Sequence, residues 1–400
     1  MQLYNMQYCD KKNKRQFTAM RKKHIVAFSA SFQEMFLSKD IFLVPYYITK
    51  ETGGELTYYY INNLGNTEIP QQHRGATLLH VETKNEAMAM MKTIVRNARK
   101  IDVLFINGSS AKHMTAVFLY KKINPGGKVI IFGDMEAPQA KELYKNNFMY
   151  STGFSGKIKK FLTNFFFHNV TYIVANTEAH GYMERLFMRN GWSGLLHFYP
   201  LVDDEKYNSF GITRKTFTEK ENIMVCVGRI GNYQKNTEML LEALHKVDLK
   251  DWKIYMIGPI TNSFNLNDGG DFQKKIDDFF DECPQHRDKL IFTGMIYDQK
   301  TLFEYYNRAK ILLMTSRHEG FANVYSQAAA MGCFIVSTDV GGADVCSNYW
   351  AFGEKLPQEN SDALADVLEK ITSGEYLFQI TNELAFDELC YSKNICKLIL

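Results

Sequence analysis

Short apolar runs alternate with longer amphipathic stretches along almost the whole chain. His24–Ser29, Leu56–Ile61, Ala76–Val81, Ile101–Ile106, Lys128–Phe132 and Val170–Ala175 have strand length and are rich in β-branched and aromatic residues. Between them, apolar positions recur at helical spacing over Lys84–Lys100, Ser110–Lys122, Ala137–Tyr144, Lys157–Phe167 and Thr177–Arg189. After a loop over Phe32–Lys39, Asp40 can cap an apolar helix that runs to about Thr52 and stops at Gly53-Gly54. Pro45 is tolerable only near that helix's first turn, because proline has no N–H to donate further in. A polar stretch from about Asp203 to Glu221 interrupts the alternation, which Ile223–Gly228 restarts. KIYMIG, KLIFTG, KILLMTS and CFIVST follow as further strands.

Strands alternating with helices predict parallel, doubly wound sheets. The chain therefore divides into residues 20–205 and 206–381, two Rossmann-like α/β domains facing a central cleft at the carboxyl ends of their strands. A basic extension, 1–19, precedes them; it reads equally as a tail, a short helix or sequence upstream of a start at Met20. Residues 382–400 read as a helix that packs back toward the first domain.

Composition narrows the class. Four hundred residues, 46% of them hydrophobic, are enough for two packed cores, and a net charge of +3 is too mild to imply nucleic acid. Seven cysteines without a CxxC pair argue against a disulfide framework or a structural zinc site. No run of eighteen apolar residues and no signal-type start is present, so a cytoplasmic protein is expected.

The chemistry gathers in the second half. Arg317–Gly342, RHEGFANVYSQAAAMGCFIVSTDVGG, follows a buried strand with a polar turn, then a helix-compatible segment from Phe321 to Met331 closed by Gly332. Free N–H groups at such a helix start favour an anion, and Glu319 at the mouth can accept hydrogen bonds from ligand hydroxyls. In GRIGNYQKNTEMLLEAL, Arg229 leaves its strand beside Gly228, and Lys235 precedes a helix that Asn236 or Thr237 would cap. A guanidinium and an ammonium six residues apart across a loop can close on one diphosphate; a pair of solvated loop cations would read the same way.

Together, VGRIGNYQKN at 227–236, TGMI at 293–296, SRHEGFANVYSQAAAMG at 316–332 and STDVGG at 337–342 resemble the retaining family-4 glycosyltransferases of GT-B fold. The likeness is strong over 220–375 and topological over 20–205. It implies transfer of a sugar from a nucleotide diphosphate sugar (UDP- or GDP-linked) to a glycan or lipid-linked acceptor, with net retention and no obligatory metal or other cofactor. By position, Arg229 and Lys235 would grip the donor diphosphate and Glu319 the donor sugar's hydroxyls. The amides of Gly320, Phe321 and Ala322 would meet the sugar and distal phosphate, while Met295 and Ile296 would lie near the base. The leaving diphosphate itself would help take the acceptor's proton.

Two departures stand out. Where the pattern has a second glutamate, for the ribose, this chain has Gln327, which keeps an acceptor oxygen without the charge, a difference of about 1 kcal/mol. Where many relatives end a first-domain strand in His-Asp, this chain has Gly133-Asp134. Asp134 then reads either as a cleft carboxylate or as a helix N-cap, and His113 and His318 are the imidazoles that could stand in. The segment 156–169, GKIKKFLTNFFFHN, mixes lysines with aromatics and suits either an interfacial helix on anionic lipid or a core helix with lysines on its rim. Lipid contact, with Arg21-Lys22-Lys23 adding to the patch, would place the protein on the inner face of the plasma membrane. A non-catalytic GT-B partner subunit is the alternative that Gln327 and Gly133 raise. A nucleotide-sugar epimerase would need a clearer acid and base set, and no GxGxxG follows the first strand as a nicotinamide dehydrogenase would require.

Overall fold

A computed structural model describes residues 22–63, 69–83, 85–133, 135–147, 154–261 and 272–398. The 1–19 extension, Arg21 and Asp134 lie outside the described residues. The first sheet is built from β1 (His24–Phe32), β2 (Glu55–Asn63), β3 (Gln72–His73), β4 (Ala76–His80), β5 (Val103–Asn107), β6 (Lys128–Gly133), β7 (Thr171–Val174) and β8 (Leu195–His197). The second contains β9 (Glu221–Val227), β10 (Lys253–Ile257), β11 (Leu290–Gly294), β12 (Ala309–Met314), β13 (Phe334–Thr338) and β14 (Gly353–Leu356). The helices are α1 (Asp40–Thr52), α2 (Glu86–Asn97), α3 (Ala111–Ile123), α4 (Ala137–Lys145), α5 (Phe154–His168), α6 (Thr177–Asn190) and α7 (Asp204–Ser209). They continue with α8 (Thr237–Leu244), α9 (Phe272–Glu282), α10 (Gln299–Arg308), α11 (Asn323–Ala330), α12 (Ala343–Cys346), α13 (Ser361–Ser373) and α14 (Tyr391–Asn394).

Strand order is β3-β4-β2-β1-β5-β6-β7-β8 in the first sheet and β11-β10-β9-β12-β13-β14 in the second. Apart from the antiparallel β3–β4 pair, every described pairing is parallel. Both faces of each sheet are covered, which is why the strands read as apolar runs rather than as alternating ones. Val225, Ile311, Leu312 and Leu313 have no exposed surface, and each such side chain contributes about 1.5–3 kcal/mol by leaving water.

The segment between the domains is more structured than its polarity suggests. Tyr47 Oη donates to Asp203 (2.7 Å), Arg74 donates to the same carboxylate, and Tyr46 Oη donates to Glu205 at 2.6 Å. These bonds fasten α7 to α1 and the β3–β4 turn. The C-terminal stretch returns to the first domain, where Tyr391 is fully buried and stacks on Tyr47 at 5.2 Å. Val202 and Cys390 form a parallel bridge there, with Val202 N–H donating to Leu389 O and Tyr391 N–H to Val202 O. This tail is not one helix but a series of short turns around α14.

Four local expectations are corrected. The loop over Phe32–Lys39 begins inside β1 and contains a 3₁₀ turn at Glu34–Ser38. Asp40 is the first helical residue rather than the cap, and Pro45 lies in the interior of α1. Pro45 cannot donate to the preceding turn, and it is buried, so packing outweighs the lost bond. The helix after Glu319 begins at Asn323 and ends at Ala330, two residues later and one earlier than the apolar spacing predicts.

Candidate active site

In the second sheet the chain winds outward from β9 through β10 to β11, then returns to β12 on β9's other side. The loops leaving β9 and β12 therefore part at the topological switch point, where a crevice opens above the strand ends. The β9 loop carries Gly228, Arg229 and a 3₁₀ turn at Tyr233–Lys235, then passes through Asn236 in left-handed conformation (φ 47°) into α8. Asparagine tolerates that conformation better than most residues with a Cβ.

The two loops are sewn together along their length. Arg317 N–H donates to Gln234 O at 2.8 Å, and Arg317 Nη1 donates to Tyr233 O at 2.6 Å. Thr315 Oγ1 donates to the carbonyls of Lys235 and Asn236. At the tip, Lys235 Nζ donates to Glu319 Oε1 at 2.5 Å, and Gln234 Nε2 donates to Glu319 Oε2 at 3.0 Å. Gln234 Oε1 in turn accepts from Arg229 Nη2 at 2.8 Å. Glu319 is 9% exposed, whereas Arg229 is exposed. Arg229, Lys235 and Glu319 thus form one charged cluster, with the carboxylate turned to the ammonium.

Gly341 and Gly342, the end of STDVGG, press against the Glu319 turn. A Cβ on Gly341 would lie 2.4 Å from Gly320 O and 2.6 Å from Glu319 O, so only glycine allows this approach. The Ala322 N–H donates to Gly341 O at 3.2 Å, which removes one of the three amides expected to face a ligand. Phe321 turns to the first domain and stacks on Tyr199 at 5.4 Å. Asn176, the N-cap of α6, accepts from Ala179 N–H with Oδ1 and donates with Nδ2 to Gly320 O at 3.1 Å. Between the domains lies a cavity of about 480 Å³ bordered by Glu136, Thr177, Glu178, His318, Glu319 and Asp344.

The remaining expected residues divide by place. Gly228 borders a narrow crevice with Arg229, Lys235 and Ser316. Met295 is 48% exposed just beyond β11, and Ile296 packs partly against the second-domain core. Gln327 faces a separate crevice with Asn323, Phe303 and Lys206, and its Oε1 accepts from Tyr306 Oη at 3.4 Å. The cap of α4 is Glu136, not Asp134, and Glu136 Oε1 is 3.4 Å from His318 Nδ1 across the cleft. His113 is turned into its own helix cap, where Nδ1 accepts from Ser110 N–H at 3.2 Å. Gly133 has a steric cause: a Cβ there would come 2.6 Å from the Tyr172 hydroxyl, whose ring fills the space. Behind Asn176, the rings of His180 and His197 are 4.9 Å apart. Burial, then the neighbouring His197, pushes His180 down to about 4, against a smaller raising effect of Glu184.

Asn176, Gln234 and Tyr199 join the site without having stood out in the sequence. Gln234 is next to Lys235 and could have been weighed with it; Asn176 and Tyr199 come from the other domain and carry no local signal. Among the described residues no group of three or more His, Cys, Asp or Glu is arranged to hold a metal ion.

With that geometry in place, the chain can be set beside known proteins. Along 94–95% of its length it superposes on solved glycosyltransferases. One from Rickettsia africae gives a TM-score of 0.61 at 15% identity, with 97% of that chain covered. The lipopolysaccharide outer core galactosyltransferase WaaB gives 0.63 at 15% identity with 99% covered. Anabaena HepE in complex with UDP gives 0.61 at 12% identity with 97% covered. The fold is GT-B. Within this GT-B chain, residues 221–373 match the family model for glycosyl transferases group 1. An uncharacterized glycosyltransferase of Methanocaldococcus jannaschii is 27% identical over 158 residues, 39% of this chain. The matched stretch spans just over a third, 37%, of that relative.

Proposed function

We propose that this protein is a retaining glycosyltransferase, moving a sugar from a UDP- or GDP-sugar to a glycan or lipid-linked acceptor in cell-surface polysaccharide or glycolipid synthesis. The observation that carries the reading is the convergence of Arg229, Lys235 and Glu319 on two bonded loops at the switch point of the group 1 domain. HepE, solved with UDP, supports a nucleotide donor for this fold.

Arg229 and Lys235 supply the two cations a diphosphate needs, the first as a planar fork and the second as a point charge. Glu319 accepts from the donor sugar's hydroxyls, and the Gly320 and Phe321 amides lie beside it. Met295 and Ile296 border the base, and Gln327 accepts from the ribose once Tyr306 yields. In the transfer, the bond from the anomeric carbon to the diphosphate oxygen breaks, and the acceptor oxygen bonds to that carbon on the same face. The acceptor's proton passes to the departing diphosphate, leaving the nucleoside diphosphate. Asp134, outside the described residues, enters this reading as a further first-domain carboxylate.

The membrane reading divides α5 in two. Phe166 and Phe167 are fully buried, while Ile158 (47%) and Phe161 (57%) are exposed beside Lys157, Lys159 and Lys160. Those first turns suit anionic headgroups, a peripheral contact on the inner face of the plasma membrane that fits a lipid-linked acceptor. Among the described residues no helix is long and apolar enough to cross a membrane. Purified protein that ignores anionic liposomes at low salt would remove this part.

A non-catalytic GT-B partner subunit is the second reading, favoured by the Tyr172 ring that occupies the room beside Gly133. Titration with UDP and GDP, beside Arg229→Ala, separates the two. Binding of one nucleotide, lost in the variant and followed by hydrolysis of its sugar derivative, supports the enzyme. Binding of neither supports the partner subunit.

A further inference from the structure

Gln234 touches both signs of charge in the site. Its Oε1 accepts from Arg229 Nη2 (2.8 Å), and its Nε2 donates to Glu319 Oε2 and to His318 O, both at 3.0 Å. A carboxamide has one accepting and one donating end and no net charge, so it satisfies a guanidinium and a carboxylate together. The flipped amide would set NH₂ against the cation and oxygen against the anion, so the network admits one orientation. The base of the side chain is held as well, because Gln234 O accepts from Arg317 N–H.

Lys235 holds the other carboxylate oxygen, Oε1. A diphosphate in the crevice would compete for this ammonium, which swings on a flexible stem, and Glu319 would lose its closest partner. A nearly buried carboxylate without that partner would turn away or recruit another donor.

We propose that Gln234 is the positioning residue that keeps Glu319 in place when the donor's diphosphate draws Lys235 away. Oε2 stays bonded to Nε2, and Oε1, vacated by Lys235, becomes the acceptor for a sugar hydroxyl. The diphosphate thereby opens the sugar contact, and the amide keeps the carboxylate aimed at it. This role rests on the proposed function, since it requires a nucleotide sugar in this crevice.

The test compares nucleotide with nucleotide sugar. UDP and GDP, then UDP-glucose, UDP-galactose and GDP-mannose, are titrated into wild type, Gln234→Leu and Gln234→Glu, and hydrolysis of the sugar nucleotides is followed. In Gln234→Leu, affinity for the sugar-free nucleotide stays within about threefold, while hydrolysis turnover falls roughly ten- to hundredfold, the range for a hydrogen bond to a charged group. Gln234→Glu, which sets a second carboxylate against Glu319, loses more turnover than Gln234→Leu. A folded Gln234→Leu that loses nucleotide and nucleotide sugar equally, or neither, overturns the role and leaves the proposed function standing. Wild type that binds neither nucleotide overturns both.

Discussion

Asn176 Nδ2 donates to the main-chain oxygen of Gly320, 3.1 Å away in the other domain, while the same side chain caps α6 through Ala179 N–H. One residue therefore starts a first-domain helix and holds the loop carrying Glu319. Asn176→Asp separates the two jobs. Aspartate keeps the cap, but its second oxygen is buried against the Glu319 and Gly320 carbonyls, so the melting temperature should fall as well. The substitution also turns a carboxylate toward a carbonyl oxygen, and kcat/KM for the nucleotide sugar should fall roughly five- to fiftyfold. Wild-type kinetics in Asn176→Asp would show that the bond across the cleft does not assist the reaction.

Lys235 and Glu319 should behave as a unit in stability. Lys235→Met leaves Glu319, 9% exposed, without its cation, at a cost of roughly 3 kcal/mol. Adding Glu319→Gln removes the orphaned charge and should restore most of that loss without restoring nucleotide binding. Urea unfolding of the two single variants and the double variant gives the coupling; additive losses would mean the pair contributes no such interaction.

Glycine should matter at 341 and not at 181. A Cβ on Gly341 meets two main-chain oxygens within 2.6 Å, whereas one on Gly181, inside α6, meets nothing within 4 Å. Gly341→Ala should destabilise by about 1–3 kcal/mol and weaken sugar-nucleotide binding by shifting the Glu319 turn. Gly181→Ala should stabilise by about 0.5–1 kcal/mol through helix propensity. Calorimetric melts of both variants decide, and a silent Gly341→Ala would contradict the close packing.

Acid should loosen the first domain through His180. Its folded value is about 4 against an ordinary 6.5, so the unfolded chain binds the extra proton between those values. Stability from neutral His180 is complete above about pH 6.5 and is lost as pH falls toward 4. Melting temperature followed from pH 7 to 4 should drop less steeply in His180→Gln than in wild type. Parallel curves would show that His180 does not titrate this way.

Much of this architecture is legible in the chain because parallel strands are buried on both faces and stand out as apolar runs. Arg229, Lys235 and Glu319 each lie beside a turn next to such a run, and it is the resemblance to a known family that groups them. What was not legible has a physical pattern too. Strands β3, β8 and β14 are two to four residues long and too short to show a period. Pro45 remains helical because α1 is packed against the sheet and the returning tail, a tertiary effect that outweighs local preference. Asn176 and Tyr199 act through partners more than a hundred residues away, and no spacing rule reaches that far.

The bridge between Val202 and Cys390 means that the chain crosses between the domains twice, at neighbouring points that are bonded to each other. A single crossing would act as a ball joint, free to twist as well as to open. Two crossings pinned side by side act as a door hinge. A swing about that line is the opening these bonds would leave free, and it would part the Glu319 turn from Asn176 and bring the two back together.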